Sequence, residues 1–259
     1  MIFANPLFGE PQPGISPQSD SAKLISRARR RSITSGGDLS TVYFAPLGGT
    51  GDEARSIKSL FPEAEVLTGQ YATKAALKQV QAPRILHIAT HGFFLDDTVE
   101  SANAASGTRA ISGKVEIKNP LLRSGLALAG ANLNRGGDDD GILTALEASN
   151  LNLWGTKVVT LSACETGVGE VKNFEGVYGL RRAFFLAGAE TLLMSLWPVS
   201  DRVTRETMTA FYTGLRDGLG RGEALRQAQL SMLKRKDHQH PFYWASFILG
   251  GEWRNLQGK

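Results

Sequence analysis

Short apolar runs alternate along the chain with segments whose apolar residues recur every three or four positions. Such runs are typical of buried strands, and the longer period is typical of helices with one buried face. Because strands and helices alternate, the pattern predicts an α/β fold with a mainly parallel sheet and right-handed crossovers. The predicted strands are 41–45, 65–67, 84–91, 124–129, 158–164, 191–196 and 244–249, and the predicted helices are 52–60, 73–80, 142–151, 175–188, 201–215 and 223–233.

Three segments depart from this alternation. Residues 1–39 hold four prolines in their first twenty positions, which predicts an irregular lead with a short helix at 21–33. One domain is predicted for residues 40–253, followed by a tail at 254–259. Residues 95–120 form a polar stretch with little periodicity, and a loop of this length inside a domain is usually functional or disordered.

Composition narrows the class of protein. Hydrophobic residues make up 42% and charged residues 21% of the 259 positions, as in ordinary globular proteins. One cysteine excludes an internal disulfide, which favours a reducing, cytoplasmic location. We see no secretory signal, and no apolar run of about 18 residues predicts a membrane helix. No metal-ligand set or cofactor motif stands out, so no cofactor is expected.

Part of the net charge of +4 comes from one short basic segment. Four arginines lie within five residues at 27–31, and such a cluster can contact nucleic acid or an acidic partner. No interleaved aromatic residues accompany the cluster, so we favour a solvated face and do not expect this domain to bind nucleic acid directly.

Two strand ends carry the candidate chemistry. Cys164 follows the apolar run at 158–161, and His91 ends the run that begins at residue 84. Parallel strands of the same polarity bring both residues to one edge of the sheet, where such folds place their sites. A cysteine with a histidine elsewhere in the chain is the general form of a thiol nucleophile and its base. A lone buried cysteine can equally be a small apolar core residue.

Several blocks of sequence together resemble a known family. THGFF, LSACETGVGE, GLRRAFFLAGAETLLMSLWPVSD and HPFYWASFILGG are similar to the CHAT domain, the caspase-like peptidase domain often found behind tetratricopeptide repeats in bacteria and related to separase. The resemblance covers residues 40–253. It implies a caspase-like three-layer α/β/α sandwich and a cysteine endopeptidase with Cys164 as nucleophile and His91 as base. It also implies a protein or peptide substrate, and upstream repeats or a partner that activates the domain.

The resemblance assigns two further roles. The backbone N–H groups of Gly92 and Cys164 are expected to form the oxyanion hole. Asp201 is expected to form the floor of a pocket for Arg or Lys before the scissile bond, where a carboxylate gains charge-assisted hydrogen bonds. The alternative for Asp201 is structural, because an acid in the first turn of a helix favours the helix dipole.

Other interpretations stay open at this point. His87 lies four residues before His91 and competes for the role of base, but Gly92 follows His91 as in the family, so His87 is expected to pack below. A silent protease-like interaction module and a different thiol hydrolase are the alternative functions. Thiol labelling separates the first from an enzyme, and ester turnover without peptide cleavage identifies the second.

Overall fold

The computed structural model describes residues 1–9, 42–95, 98–100, 114–116, 119–133, 137–162, 164–167, 175–197 and 199–258. The strands in these ranges are β1 Ile2–Pro6, β2 Val66–Gly69, β3 Ile85–Ala89, β4 His91–Phe94, β5 Thr98–Glu100, β6 Lys114–Glu116, β7 Ser124–Ala127, β8 Ile142–Thr144, β9 Val158–Leu161, β10 Cys164–Gly167, β11 Thr191–Ser195 and β12 Phe247–Gly251. The α-helices are α1 Gly48–Leu60, α2 Lys74–Lys78, α3 Ala145–Ala148, α4 Glu175–Leu186, α5 Asp201–Arg216, α6 Arg221–Leu233 and α7 Pro241–Trp244.

The main sheet has six strands in the order β12-β11-β9-β3-β1-β2. Its neighbours pair in parallel, except that β12 runs antiparallel to β11 at the edge. Strands β3, β9 and β11 consist almost entirely of buried residues, as expected for parallel strands covered on both faces. The predicted mainly parallel α/β sheet is therefore confirmed.

Helices cover both faces of this sheet. Successive residues of β3 point to opposite sides: Leu86 and Ile88 join the core formed with α2, α3 and α4, whereas Ala89 joins the core formed with α1, α5 and α6. Two apolar layers on either side of one sheet make the three-layer α/β/α sandwich that the sequence predicts.

A second sheet continues the two central strands of the main sheet. Its order is β10-β4-β7-β8, with β10 and β4 parallel. Strand β3 ends at Ala89 and β4 begins at His91, while β9 ends at Leu161 and β10 begins at Cys164. Both candidate catalytic residues thus begin a strand of the second sheet, just beyond the carboxyl ends of neighbouring main-sheet strands.

The structure corrects the predicted start of the fold. Ile2–Pro6 was assigned to an irregular lead, but it forms β1 between β3 and β2, with Ile2, Phe3 and Ala4 buried. The first strand was predicted at 41–45, but the described part of that segment, residues 42–45, contains no strand. Val42 and Phe44 are buried, as their apolar alternation predicts. The backbone of Phe44, however, forms hydrogen bonds with the Asn132 side chain instead of with a neighbouring strand. The predicted helix at 21–33 and the domain boundary at residue 39 lie outside the described residues.

Three other elements differ from prediction. The stretch at 95–120, predicted to be a loop, contains strands β5 and β6, which pair in antiparallel fashion. The helix predicted at 142–151 begins as strand β8, which pairs with β7, and only Ala145–Ala148 is helical. The closing strand predicted at 244–249 lies slightly later, because Pro241–Trp244 forms a helical turn before it. None of the helices among the described residues is long and apolar enough to cross a membrane.

Candidate active site

The backbone places Cys164 and His91 side by side. Strands β10 and β4 pair in parallel, and their register sets Cys164 against His91 and Glu165 against Gly92. Adjacent strands lie about 4.8 Å apart, so the two residues are direct neighbours across the sheet. The pairing that the sequence predicts from two strand ends is thus present in the backbone.

His91 is held in a defined orientation. The ring is buried, with 8% of the residue exposed, and it packs against Phe8 and Phe44 at ring-centroid distances of 5.3 and 5.8 Å. Nε2 lies 2.8 Å from the carbonyl oxygen of Ala45, and because a carbonyl only accepts, Nε2 carries the proton. The neutral ring then keeps a lone pair on Nδ1, which has no hydrogen-bond partner among the described residues. This tautomer leaves one nitrogen of His91 able to accept a proton.

Burial lowers the pKa of His91, while the hydrogen bond to Ala45 and the negative charge of Asp201 act in the opposite direction. Desolvation disfavours the charged ring, so His91 is neutral at ordinary pH and ready to act as a base.

The Ala45 carbonyl is a functional group that sequence reasoning missed. No third residue was predicted to orient His91, because a backbone carbonyl leaves no trace in residue types. Its segment is fixed by Asn132, which is 3% exposed. The Asn132 amide oxygen accepts from Phe44 N–H at 2.9 Å, and its nitrogen donates to the carbonyls of Phe44 and Gly9 at 2.9 and 3.0 Å.

Gly92 follows His91 within β4 and lies between β10 and β7, in register with Glu165 and Leu126. This position puts its backbone next to the candidate nucleophile. Its role in an oxyanion hole, together with the N–H of Cys164, stays a prediction.

Asp201 begins α5 as predicted, and Ser200 caps that helix by accepting from Val203 N–H at 3.5 Å. The Asp201 carboxylate lies against the start of α1, since a Cβ atom on Gly49 would collide with it. Asp201 is exposed on one side and lines a cavity of about 20 Å³ on the other. The same cavity is lined by Thr90, which precedes His91, and by Ser162, which lies two residues before Cys164, so Asp201 lies near the two candidate strands.

Glu53 is a second carboxylate at this cavity, and the sequence analysis did not single it out. It is 2% exposed and accepts a hydrogen bond from Ser162 Oγ at 3.1 Å. The signal was present in the helical pattern, because Glu53 shares the buried face of α1 with Thr50, Ala54 and Ile57.

His87 packs below the site, as predicted. It is fully buried, its Nδ1 lies 3.1 Å from the Tyr212 hydroxyl, and its Nε2 lies 3.2 Å from Glu53 Oε1. Tyr212 in turn donates to Thr160 Oγ1 at 2.8 Å. His87 is thus enclosed in a polar network below β4, away from the strand pair that holds His91. Within the described ranges, no group of three or more His, Cys, Asp or Glu residues is arranged to hold a metal ion.

Comparison with known proteins agrees with this architecture. Human tetratricopeptide repeat protein 28 is 30% identical over 219 residues, which is 80% of this chain and 8% of the human protein. The mouse protein of the same name is 36% identical over 110 residues, or 42% of this chain and 4% of its own length. These relatives are mammalian, whereas the sequence resemblance pointed to bacterial proteins. The chain spans less than a tenth of either relative.

A family model gives the broadest match, since it extends over residues 3–252 and so includes β1, both sheets and the strand pair with Cys164 and His91. The chain belongs to the CHAT domain family, which is related to the caspase-like peptidases.

Proposed function

We propose that this protein is a cysteine endopeptidase in which Cys164 is the nucleophile and His91 is the general base. One observation carries the proposal: the register of β10 and β4 sets Cys164 beside a histidine whose Nε2 is tied to Ala45 and whose Nδ1 is left to accept a proton. A thiolate, not a thiol, is the effective nucleophile, so a neutral base beside the cysteine is what the chemistry needs.

In the proposed reaction, His91 accepts the Cys164 thiol proton and the thiolate attacks the peptide carbonyl. The C–N bond breaks as the imidazolium protonates the leaving amine, and a thioester to Cys164 remains. His91 then deprotonates a water molecule that hydrolyses the thioester and restores the thiol. The N–H groups of Gly92 and Cys164 are the proposed donors to the oxyanion of each tetrahedral intermediate.

The proposed substrate carries a basic residue before the scissile bond. Asp201 supports this, because its carboxylate lines the cavity beside the dyad and its charge acts on His91. We also propose that upstream tetratricopeptide repeats or a partner regulate the domain, since the human relative is named for such repeats. A reducing compartment such as the cytoplasm would keep Cys164 as a free thiol.

Cleavage of a peptide library tests the proposal, with wild type compared with Cys164→Ala and His91→Gln. We expect cleavage after basic residues by the wild type and none by Cys164→Ala. Turnover of thioesters or esters without peptide cleavage would identify a different thiol hydrolase. An unreactive Cys164 together with an uncut library would contradict catalysis and favour an interaction module.

A further inference from the structure

The pairing of Cys164 with His91 depends on how two strands pass from the main sheet to the second sheet. In the main sheet, Leu161 of β9 lies against Ile88 of β3. In the second sheet, Cys164 of β10 lies against His91 of β4. Both strand paths advance three residues between these two pairs, so one register runs through both sheets. A slip of one residue where β9 ends would set another residue against His91. The position of Ser162, which directly follows β9, therefore determines the pairing.

Ser162 is held from two directions. Its backbone N–H donates to the carbonyl of Ile88 at 2.9 Å, which continues the pairing of β9 with β3. Its hydroxyl donates to Glu53 Oε2 at 3.1 Å, and Glu53 belongs to α1, which covers the sheet. Ser162 and Glu53 are both buried, so water competes little for this hydrogen bond. Glu53 thus attaches the end of β9 to α1.

The other carboxylate oxygen of Glu53 belongs to a ring of buried polar side chains. Glu53 Oε1 lies 3.2 Å from Nε2 of His87, its ion-pair partner, and His87 Nδ1 lies 3.1 Å from the Tyr212 hydroxyl. Tyr212 donates to Thr160 Oγ1 at 2.8 Å. Thr160 lies two residues before Ser162, so both side chains are on the same face of the sheet. The ring therefore begins and ends at the β9 segment and passes through α1, β3 and α5.

Such a ring is suited to positioning. A buried ion pair adds little net stability, because the desolvation of its two groups offsets their attraction. Hydrogen bonds in a buried network fix distances and angles, and so they favour one arrangement of the chain. The helix that carries Glu53 also begins at Gly48, three residues after Ala45, whose carbonyl orients His91. The supports of both members of the dyad thus lie on α1 or just before it.

We propose that Glu53 is a positioning residue of the active site: through Ser162 and His87 it fixes the register of β9 with β3, and so holds the backbone of Cys164 against His91. In this role Glu53 touches neither the substrate nor the reacting atoms. The inference rests on the proposed peptidase function, because it concerns the activation of the Cys164 thiol by His91.

Alkylation of Cys164 by iodoacetamide at pH 6 tests the proposal. Ser162→Ala removes the hydrogen bond to Glu53 and keeps the other contacts of the ring. We expect this variant to be alkylated about fivefold more slowly than the wild type, the factor that one typical hydrogen bond is worth. Ser246→Ala is the matched control, because the Ser246 hydroxyl is also buried but has no hydrogen-bond partner among the described residues. The control should react like the wild type.

Two comparisons separate positioning from a general loss of structure, and urea unfolding shows that each variant is folded. In the His91→Gln background, Ser162→Ala should no longer change the alkylation rate, because no base remains to be misplaced. Glu53→Gln should keep most of the wild-type rate, since the glutamine amide keeps an oxygen for Ser162 and offers an N–H to His87. Glu53→Leu, which offers neither, should be slowed at least as much as Ser162→Ala.

The positioning role is overturned if Ser162→Ala keeps the wild-type rate, if its effect is equally large without His91, or if folded Glu53→Gln and Glu53→Leu react equally slowly. The wild type and His91→Gln report on the dyad separately. If the wild type reacts faster than His91→Gln and Ser162→Ala matches the wild type, only the positioning role fails. If the wild type reacts no faster than His91→Gln, the peptidase function fails, and the positioning role fails with it.

Discussion

Asn132→Ala should weaken both the fold and the activation of Cys164, although Asn132 is not expected to touch substrate. Its side chain makes three hydrogen bonds, two buried ones to Phe44 and a partly buried one to Gly9, and the Phe44 segment supplies the Ala45 carbonyl to His91. At about 1 kcal/mol for each hydrogen bond, the free energy of unfolding should fall by about 3 kcal/mol. The loss would be larger if the freed backbone groups stay buried without partners.

Urea unfolding measures the first effect, and the rate of Cys164 alkylation at neutral pH measures the second. Asn152→Ala is the matched control, because the side chain of that asparagine makes one hydrogen bond, an exposed one to Gln81. We expect the control to stay within about 0.5 kcal/mol of wild type with unchanged alkylation. If Asn132→Ala behaves like the control in both assays, the inference that Asn132 positions the Ala45 carbonyl is wrong.

Three other predictions follow from the same structure. Burial holds the pKa of His91 below its ordinary value of 6.5, so as pH falls the imidazole is protonated in the unfolded chain before it is protonated in the folded one. The free energy of unfolding should therefore decrease below about pH 6.5. Urea unfolding at pH 7.5 and 5.5 should show a smaller decrease for His91→Gln than for the wild type. Arg221 is 1% exposed and bonds to Thr191, Glu190 and a carbonyl, so Arg221→Met should cost roughly 2–3 kcal/mol in urea unfolding, whereas exposed Arg216→Met should change little. Gly49→Ala would clash with the carboxylate that begins α5 and should lower the melting temperature, while Gly48→Ala, with open space around it, should not.

Features that depend on the local pattern of apolar and polar residues could be predicted from the sequence. The two strands that lead to the site, β3 and β9, are short apolar runs. The sheet type and the placement of Cys164 beside His91 could therefore be predicted from the ends of these strands and their shared direction. His87 could be assigned to the interior because it lies within such a run. Helix α5 and its cap at Ser200 followed from residue preferences at helix ends.

Other features depend on contacts between distant parts of the chain. Phe44 alternates like a strand residue, but the side chain of Asn132, 88 positions later, takes its backbone hydrogen bonds. The short run at Ile2–Pro6 becomes a strand because β2 and β3 pair with it on both sides. The helical pattern places Glu53 on the buried face of α1, but its partners Ser162 and His87 lie on other elements of the chain. Local patterns do not specify these tertiary partners.

Alkylation of Cys164 by iodoacetamide at pH 6 tests the central claim most directly. Cys164 is the single cysteine of the chain, so mass spectrometry of the intact protein reports this thiol alone. An unperturbed thiol has a pKa of about 8.5 and reacts slowly at that pH. If His91 activates Cys164, the folded wild type should react at least about tenfold faster than both His91→Gln and the urea-unfolded chain. Equal rates in all three would contradict a catalytic dyad.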